Sequence, residues 1–448
     1  MDRAKGKGQG PKGATRHQSV KRHLGTRLPD YVVAFVLAVV PVHALLTVWA
    51  STLVGHYTLL RLWPEAAVLG LSLWFLASGR IRRVWRGLSQ FHLGWPILLY
   101  ILLSILYFAV ATLRGNVGLR PASYGLLLSL RPMIWFVLVY AVALERTWLV
   151  RHWQKLVFVP LAVVSTFAVL QFFVLPPDFL KHVGYEKGVT IVPIQTINQD
   201  TATIRAQSTL RGPNPLGAYV LFGIFLVWVF MRRRARKYLL LAVAGAALYL
   251  SFSRSAWVGL VVAGLVWFAV SKRLALNTRP VFVSSAVALF VLFAVILLTQ
   301  NNQGFKNVIL HVNDNSTASQ TSNENRLFAL REGVEDVVTE PFGRGPGTAG
   351  PASMLEDTTP ARNSENYFLS VGQETGWLGL GIFVAICYRL AQALYRQRTT
   401  FAYALLATFV GLTVVNMLSY AWADVTLAYM WWGLAGIALA GASQRERM

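Results

Sequence analysis

The chain has 448 residues, of which 55% are hydrophobic and 14% are charged, whereas soluble globular domains carry roughly 25% charged residues. Apolar runs of about 18 residues or more recur along it, each long enough to cross a hydrocarbon core of about 30 Å. This composition excludes an ordinary soluble domain, and the single cysteine, Cys387, excludes a disulfide framework or a cysteine-based metal site. We therefore predict an all-α, polytopic membrane protein.

The net charge of +23 raises the question of nucleic-acid binding, but the distribution of the charge indicates a membrane topology instead. Of the 42 lysines and arginines, 28 lie in short segments that alternate with less basic connections, as cytoplasmic loops do. We expect these segments to contact anionic membrane lipids, not nucleic acid, and to place both termini in the cytoplasm. They are 1–29, 80–86, 145–155, 232–237, 271–279, 389–399 and 443–448.

In chain order, residues 1–29 predict a disordered, basic cytoplasmic tail, because apolar residues are few there. A multi-span membrane domain follows at 30–442, with about 12 transmembrane helices and external loops at 176–212 and 300–364. Residues 443–448 form a short cytoplasmic tail. The predicted spans are 30–50, 57–77, 95–113, 121–144, 156–175, 213–231, 238–252, 256–270, 280–299, 376–388, 401–419 and 425–442.

The loop at 300–364 is the longest polar segment, and it holds eight of the nineteen acidic residues. Residues 325–339 have helical spacing, with Leu327, Leu330 and Val334 on one face, so this external loop is predicted to be partly helical. Pro341 ends the helix, and the glycine-rich segment 341–347 is more typical of a turn than of a phosphate cradle.

Three arginines lie at the predicted external ends of spans. Arg254 stands between two serines and two apolar segments, either as a fixed cation for phosphate or as an interfacial arginine that snorkels. Arg205 and Arg211 precede the rigid helix entry Gly212-Pro-Asn-Pro215, where a helix N-terminus favours anions, although each also fits an ordinary solvated loop. Together the three arginines predict a site for pyrophosphate.

Other charged residues have more local interpretations. Glu365 begins the helix that leads into the tenth span, and it is either a general base or a charge that satisfies the helix dipole. Glu374 is a candidate structural partner, Arg131 a candidate for pairing inside the bundle, and Arg326 a candidate for local pairing with Glu324 or Glu335. The eight histidines show no metal-ligand spacing, so we predict no metal site.

Four stretches between about 129 and 424 resemble the O-antigen ligase and polymerase family. They are Arg205 with Arg211-Gly-Pro-Asn-Pro-Leu-Gly-Ala-Tyr219, Ser251-Phe-Ser-Arg-Ser-Ala-Trp257, Asn325-Arg326 with Pro341-Phe-Gly-Arg-Gly-Pro-Gly347, and Glu365-Asn-Tyr-Phe368 with Glu374-Thr-Gly-Trp-Leu-Gly379. The resemblance implies a metal-independent, cofactor-free, inverting glycosyltransferase of the GT-C kind at the periplasmic or outer face of the bacterial inner membrane. Its donor would be a glycan on undecaprenyl pyrophosphate, and its acceptor a glycan or a lipid-linked molecule.

The resemblance also implies roles for individual residues. Arg205 or Arg211, Arg254 and Arg326 would bind the pyrophosphate, while Glu365 and Arg254 would be catalytic. Glu365 stands where the ligase pattern has a histidine before asparagine, which favours polymerisation of O-antigen or another surface polysaccharide. The alternatives are a ligase that transfers the glycan to lipid A-core or another acceptor, a polysaccharide flippase, and a sensor or scaffold.

Overall fold

The computed structural model describes residues 14–197, 200–272, 322–356 and 360–445, and within these ranges it is mostly helical. The helices are α1 Ala14–Val39, α2 His43–Val54, α3 Tyr57–Leu60, α4 Trp63–Ala77, α5 Ile81–Gln90, α6 Gly94–Leu113, α7 Leu119–Glu145, α8 Thr147–Phe173, α9 Phe179–His182, α10 Pro213–Phe230, α11 Arg234–Leu250, α12 Arg254–Ser271, α13 Ser322–Thr339, α14 Gly350–Ser353, α15 Tyr367–Arg396, α16 Thr400–Asn416 and α17 Val425–Arg445. Two strands, β1 Gln195–Ile197 and β2 Asp200–Arg205, form an antiparallel hairpin.

Eight helices within the described ranges are long and apolar enough to cross a membrane, which confirms the polytopic helical class. They are Arg27–Val54, Gly94–Leu113, Leu119–Glu145, Thr147–Phe173, Pro213–Phe230, Arg254–Ser271, Tyr367–Arg396 and Val425–Gln444. Two shorter apolar helices, α4 and α16, accompany them. Every predicted span overlaps a helix except 280–299, which lies outside the described residues. The total of 12 spans and the position of the termini stay predictions.

Three boundaries differ from the sequence-based ones. The helix α1 begins at Ala14, so residues 14–29 extend the first span as a helix and are not irregular, consistent with several good helix formers among them. The span 57–77 is broken, because Trp63-Pro64 starts a new helix after the short α3. The span 376–388 is part of the 30-residue α15, which is kinked at Gly376.

The two segments predicted as external loops have more structure than expected. The segment 176–212, expected as a plain loop, contains α9 and the β1–β2 hairpin, in which Gln195 pairs with Arg205. In the larger loop α13 confirms the predicted helix. It is fastened to α15 by hydrogen bonds from Trp377 Nε1 to the carbonyl of Val337 (2.6 Å) and from Gln373 Nε2 to Asp336 (2.6 Å).

The buried centre of the bundle is formed by α7 and α17. Trp135 of α7 donates to the carbonyl of Tyr429 at 2.8 Å, and their rings are in edge contact. Arg131, also on α7, is buried and binds Glu65 of α4 at 2.7 Å and the carbonyl of Ala423 at 3.1 Å. The predicted pairing of Arg131 inside the bundle is therefore confirmed, and it joins three segments that are distant in sequence.

The helices α12 and α16 approach each other so closely that glycine is required at their crossing. A Cβ added at Gly411 would lie 2.4 Å from the carbonyl oxygen of Gly259, and one added at Gly259 would lie 2.7 Å from the carbonyl oxygen of Gly411. Small residues at such crossings let helix backbones pack closely within membranes. The N-terminus of α12 carries Arg254, so this crossing also fixes the position of that arginine.

We expect Gly411→Ala to lower the free energy of unfolding by about 1–3 kcal/mol, because the added methyl group must force the two backbones apart. The measurement is the thermal unfolding midpoint of the purified protein in one detergent. Gly245→Ala on α11 is the control, since its Cβ meets no described atom within 4 Å. Equal midpoints for the two variants would contradict the close crossing.

Candidate active site

Four helices begin at the same end of the bundle, and their first residues surround one region. Asn214 lies in the first turn of α10, Arg254 is the first residue of α12, Asn366 precedes α15, and Asp424 precedes α17. Asn366 caps its helix, since its Oδ1 accepts from the amides of Phe368 (2.9 Å) and Leu369 (3.0 Å). Helix N-termini carry partial positive charge, so their convergence favours an anion.

Arg205, the last residue of β2, reaches into this region from the hairpin. Its Nη2 donates to Asn214 Oδ1 at 2.8 Å, and its Nε donates to the carbonyl of Ser251 at 3.0 Å. Burial, and then the positive charges of Arg326 and Arg254, lower the pKa of Arg205 to about 10. The guanidinium therefore stays charged at neutral pH, in a position where two other arginines repel it.

Arg326 of α13 binds Glu365, with Nε 2.6 Å from Oε2. This partner is 39 residues along the chain and was not among the local partners, Glu324 and Glu335, that the sequence suggested. Glu365 has a φ of 49°, a left-handed conformation that is strained for a residue other than glycine. The side chain of Glu365 remains 39% exposed, so its carboxylate is accessible while its position is fixed.

The structure thus brings these residues into one neighbourhood: Arg326 binds Glu365, and the charges of Arg254, Arg326 and Glu365 all act on Arg205. We call these four residues the arginine cluster. The predicted site residues come from a hairpin, a helix start, a loop helix and a helix entry that are far apart in sequence. Three guanidinium groups in one neighbourhood can bind an anion with more than one negative charge through several charge-assisted hydrogen bonds.

Arg211 lies in a different environment, although the sequence placed it beside Arg205. Burial disfavours its charge, but Tyr124, Tyr57 and the carboxyl group of Asp424 outweigh this effect and raise the pKa of Arg211. Burial also raises the pKa of Asp424, and the charge of Arg211 opposes that shift. Of the two alternatives that the sequence left open, Arg205 is therefore the one that joins the arginine cluster.

A cavity of about 330 Å³ adjoins the arginine cluster, and Glu365 lies in its wall. No local sequence pattern predicts this cavity, because its lining comes from five separate segments. Asn214 lies in the helix entry Gly212-Pro-Asn-Pro215, which was predicted to favour anions. Asp424, Asn363 and Tyr420 were not predicted as site residues. The lining residues are Tyr124, Leu128, Arg211, Asn214, Pro215, Pro351, Met354, Asn363, Glu365, Ser419, Tyr420, Ala421, Ala423 and Asp424.

Glu374, the carboxylate within α15, has a structural role, as predicted. It is buried, and it accepts hydrogen bonds from the amide of Gly347 (2.8 Å) and from Ser129 Oγ (3.3 Å). The glycine-rich segment 341–347 is therefore a turn that packs on α15, as the sequence favoured. The backbone amide of Gly347 that would face a phosphate in a cradle already has a carboxylate partner.

Two comparisons with known proteins show what this chain is similar to. Residues 238–384 match the family model described as O-antigen ligase, and this range contains Arg254, Arg326, Glu365 and Glu374. An O-antigen polymerase of Salmonella muenchen is 24% identical over 221 residues, which cover 48% of this chain and 53% of that protein. The alignment thus spans about half the length of this relative.

The described part of the chain is thus a polytopic helical fold with a charged site among helix ends. The two matches confirm the resemblance of this chain to the O-antigen ligase and polymerase family. The family match and the apolar helices also support a multi-pass protein of the bacterial inner membrane.

We expect Glu374→Ala to destabilise the protein by about 1–3 kcal/mol, because the buried amide of Gly347 would lose its acceptor. Glu374→Gln keeps one carbonyl oxygen and should lose less. The unfolding midpoint measures both variants, and glycan transfer should fall only in proportion to the folded fraction. A Glu374→Gln protein that folds normally yet transfers no glycan would contradict a structural role.

Proposed function

We propose that this chain is an inverting glycosyltransferase that polymerises surface polysaccharide from repeat units carried on undecaprenyl pyrophosphate. The observation that supports this most is the arginine cluster, in which three neighbouring cations lie where helix N-termini converge and one of them, Arg326, binds the accessible carboxylate of Glu365. Two linked phosphates need several fixed cations, and a transferred sugar needs a base beside them. The reaction would take place at the outer face of the inner membrane.

In the proposed reaction a hydroxyl group of the acceptor sugar attacks the anomeric carbon of the donor sugar. The new carbon–oxygen bond forms as the bond from that carbon to the pyrophosphate oxygen breaks, and the leaving group takes the electron pair. Glu365 accepts the hydroxyl proton. Arg205 and Arg254 stabilise the charge that develops on the leaving pyrophosphate. A single displacement inverts the anomeric configuration, and the activated donor needs no cofactor.

Arg326 has a second role in this proposal. Its contact with Glu365 keeps the carboxylate oriented, since a strained backbone alone fixes the main chain and not the side chain. A guanidinium has five N–H donors, so Arg326 can bind the pyrophosphate through its Nη groups while its Nε keeps the contact with Glu365. The loop helix α13 would then be coupled to the presence of the donor.

Polymerisation is favoured over ligation by two observations. Glu365 stands where the ligase pattern has a histidine, and the curated relative is named an O-antigen polymerase. The description of the matching family model, O-antigen ligase, supports the second candidate, transfer to lipid A-core or another acceptor. The two reactions share the donor and the step at the anomeric carbon, and they differ in the acceptor.

Cells that lack the gene should show surface polysaccharide collapsed to single repeat units on a gel. Glu365→Gln should restore about 10²–10⁴-fold less chain extension than the unaltered gene, because the base is lost. Arg254→Ala should also fail to restore long chains while lipid-linked donor is still made. Glu186→Gln and Arg114→Ala, at exposed loop positions, are the matched controls, and membrane levels of all variants are compared by immunoblot.

The same gel separates the other candidates. Full-length chains that stay on the lipid carrier in cells lacking the gene would identify a ligase and overturn polymerisation. Donor that accumulates on the cytoplasmic side would identify a flippase. An unchanged length distribution of the polysaccharide in every strain would contradict the proposal that this chain is an enzyme.

A further inference from the structure

We infer that the 330 Å³ cavity beside Glu365 is the subsite for the terminal sugar of the acceptor chain. This inference rests on the proposed function and adds to it the place and the chemistry of the second substrate. It assigns Arg211, Asp424, Asn363 and Tyr420 to a site that is separate from the arginine cluster.

The size and the walls of the cavity fit a neutral sugar. Sites for small ligands have volumes of about 300–1,000 Å³ and combine apolar walls with a few polar groups that fix orientation. The rings of Tyr124 and Tyr420, with Leu128 and Pro215, offer apolar surface to the C–H faces of a sugar ring. Arg211, Asn363 and Asp424 offer donors and acceptors to its hydroxyl groups.

One polar atom in the wall lacks a partner. Asn363 Oδ1 is buried and has no hydrogen bond from any described residue. A buried oxygen without a donor is unfavourable, and because Asn363 lines the cavity, a rotation of its side chain would bring Oδ1 to a sugar hydroxyl that supplies the donor. Asn363 precedes Glu365 by two residues, so the same short segment would bind the acceptor and accept its proton.

The charges of the arginine cluster and those of the cavity, the two compartments of the site, favour different substrates. The arginine cluster groups three guanidinium cations, and it suits a pyrophosphate. The cavity places Asp424 beside Arg211, with Glu365 in the wall, so its charges are more nearly balanced and two carboxylates repel a phosphate. Glu365 belongs to both compartments, which is where a base between an acceptor hydroxyl and a donor anomeric carbon must be.

The test labels a cysteine introduced at the cavity. Met354 lines the cavity and is 57% exposed, whereas Cys387 is buried, so Met354→Cys provides an accessible thiol with little background labelling. The full-length protein in lipid vesicles is treated with a maleimide in the presence of oligosaccharide released from the host polysaccharide, or of inorganic pyrophosphate. Leu327→Cys on α13 is exposed and does not line the cavity, and it is the labelling control.

The oligosaccharide should slow labelling of Met354→Cys at least several-fold and leave Leu327→Cys unaffected, while pyrophosphate should not protect Met354→Cys. Adding Asn363→Ala or Tyr420→Ala should weaken the protection about tenfold in oligosaccharide concentration, which corresponds to about 1.4 kcal/mol. Tyr420→Phe keeps the aromatic ring and should retain most of the protection. Asn116→Ala and Tyr388→Ala, outside the cavity, are the matched controls.

Protection by pyrophosphate in place of oligosaccharide would overturn the inference and move the donor into the cavity. Absence of protection by either probe would also overturn it. The readout does not require glycan transfer, so it is independent of the proposed reaction. A protein that fails to extend chains yet binds oligosaccharide in the cavity would refute the proposed function and retain the subsite.

Discussion

The contact between Arg326 and Glu365 is the interaction on which the site depends. It joins the loop helix α13 to the start of α15, and it places one negative charge among three arginines that repel each other. Without that carboxylate, the buried charge of Arg205 would face only other cations. The left-handed backbone of Glu365 shows that the surrounding structure imposes this position at a cost in conformational energy.

Buried charged side chains elsewhere in the bundle have different kinds of partners. Arg131 and Glu65 form a close pair inside the helices, and Arg131 also binds a backbone carbonyl, so the two charges are paired within the protein while Glu65 Oε2 and Arg131 Nε have no described partner. Glu374 is likewise satisfied by a backbone amide and a serine hydroxyl. The arginine cluster differs from both because it groups three guanidinium cations at converging helix ends, where they act on one another. Several fixed cations in one place are what a binding site for a polyvalent anion requires.

The described part of the large polar loop is held against the bundle and completes the site. The helix α13 is fastened to α15 through Val337 and Asp336, and the glycine turn packs on Glu374. Arg362 adds hydrogen bonds to Glu340 at 2.9 and 3.0 Å, and the bonds from Arg362 lower the pKa of Glu340, so this carboxylate is charged at neutral pH. Arg326 therefore reaches Glu365 from a docked helix.

Hydropathy determined the membrane class and most of the spans, because a bilayer requires long apolar helices whatever their partners are. Local spacing also determined the helix α13 and the turn after it, and charge next to apolar segments singled out Arg254, Arg205 and Glu365. What the sequence left open were contacts across long separations. The pairing of Arg326 with Glu365, the division of Arg205 from Arg211, and the cavity that Asp424 and Asn363 line depend on how helix ends meet. Helix ends meet through packing between distant segments, such as the crossing at Gly259 and Gly411, and no local pattern records that packing.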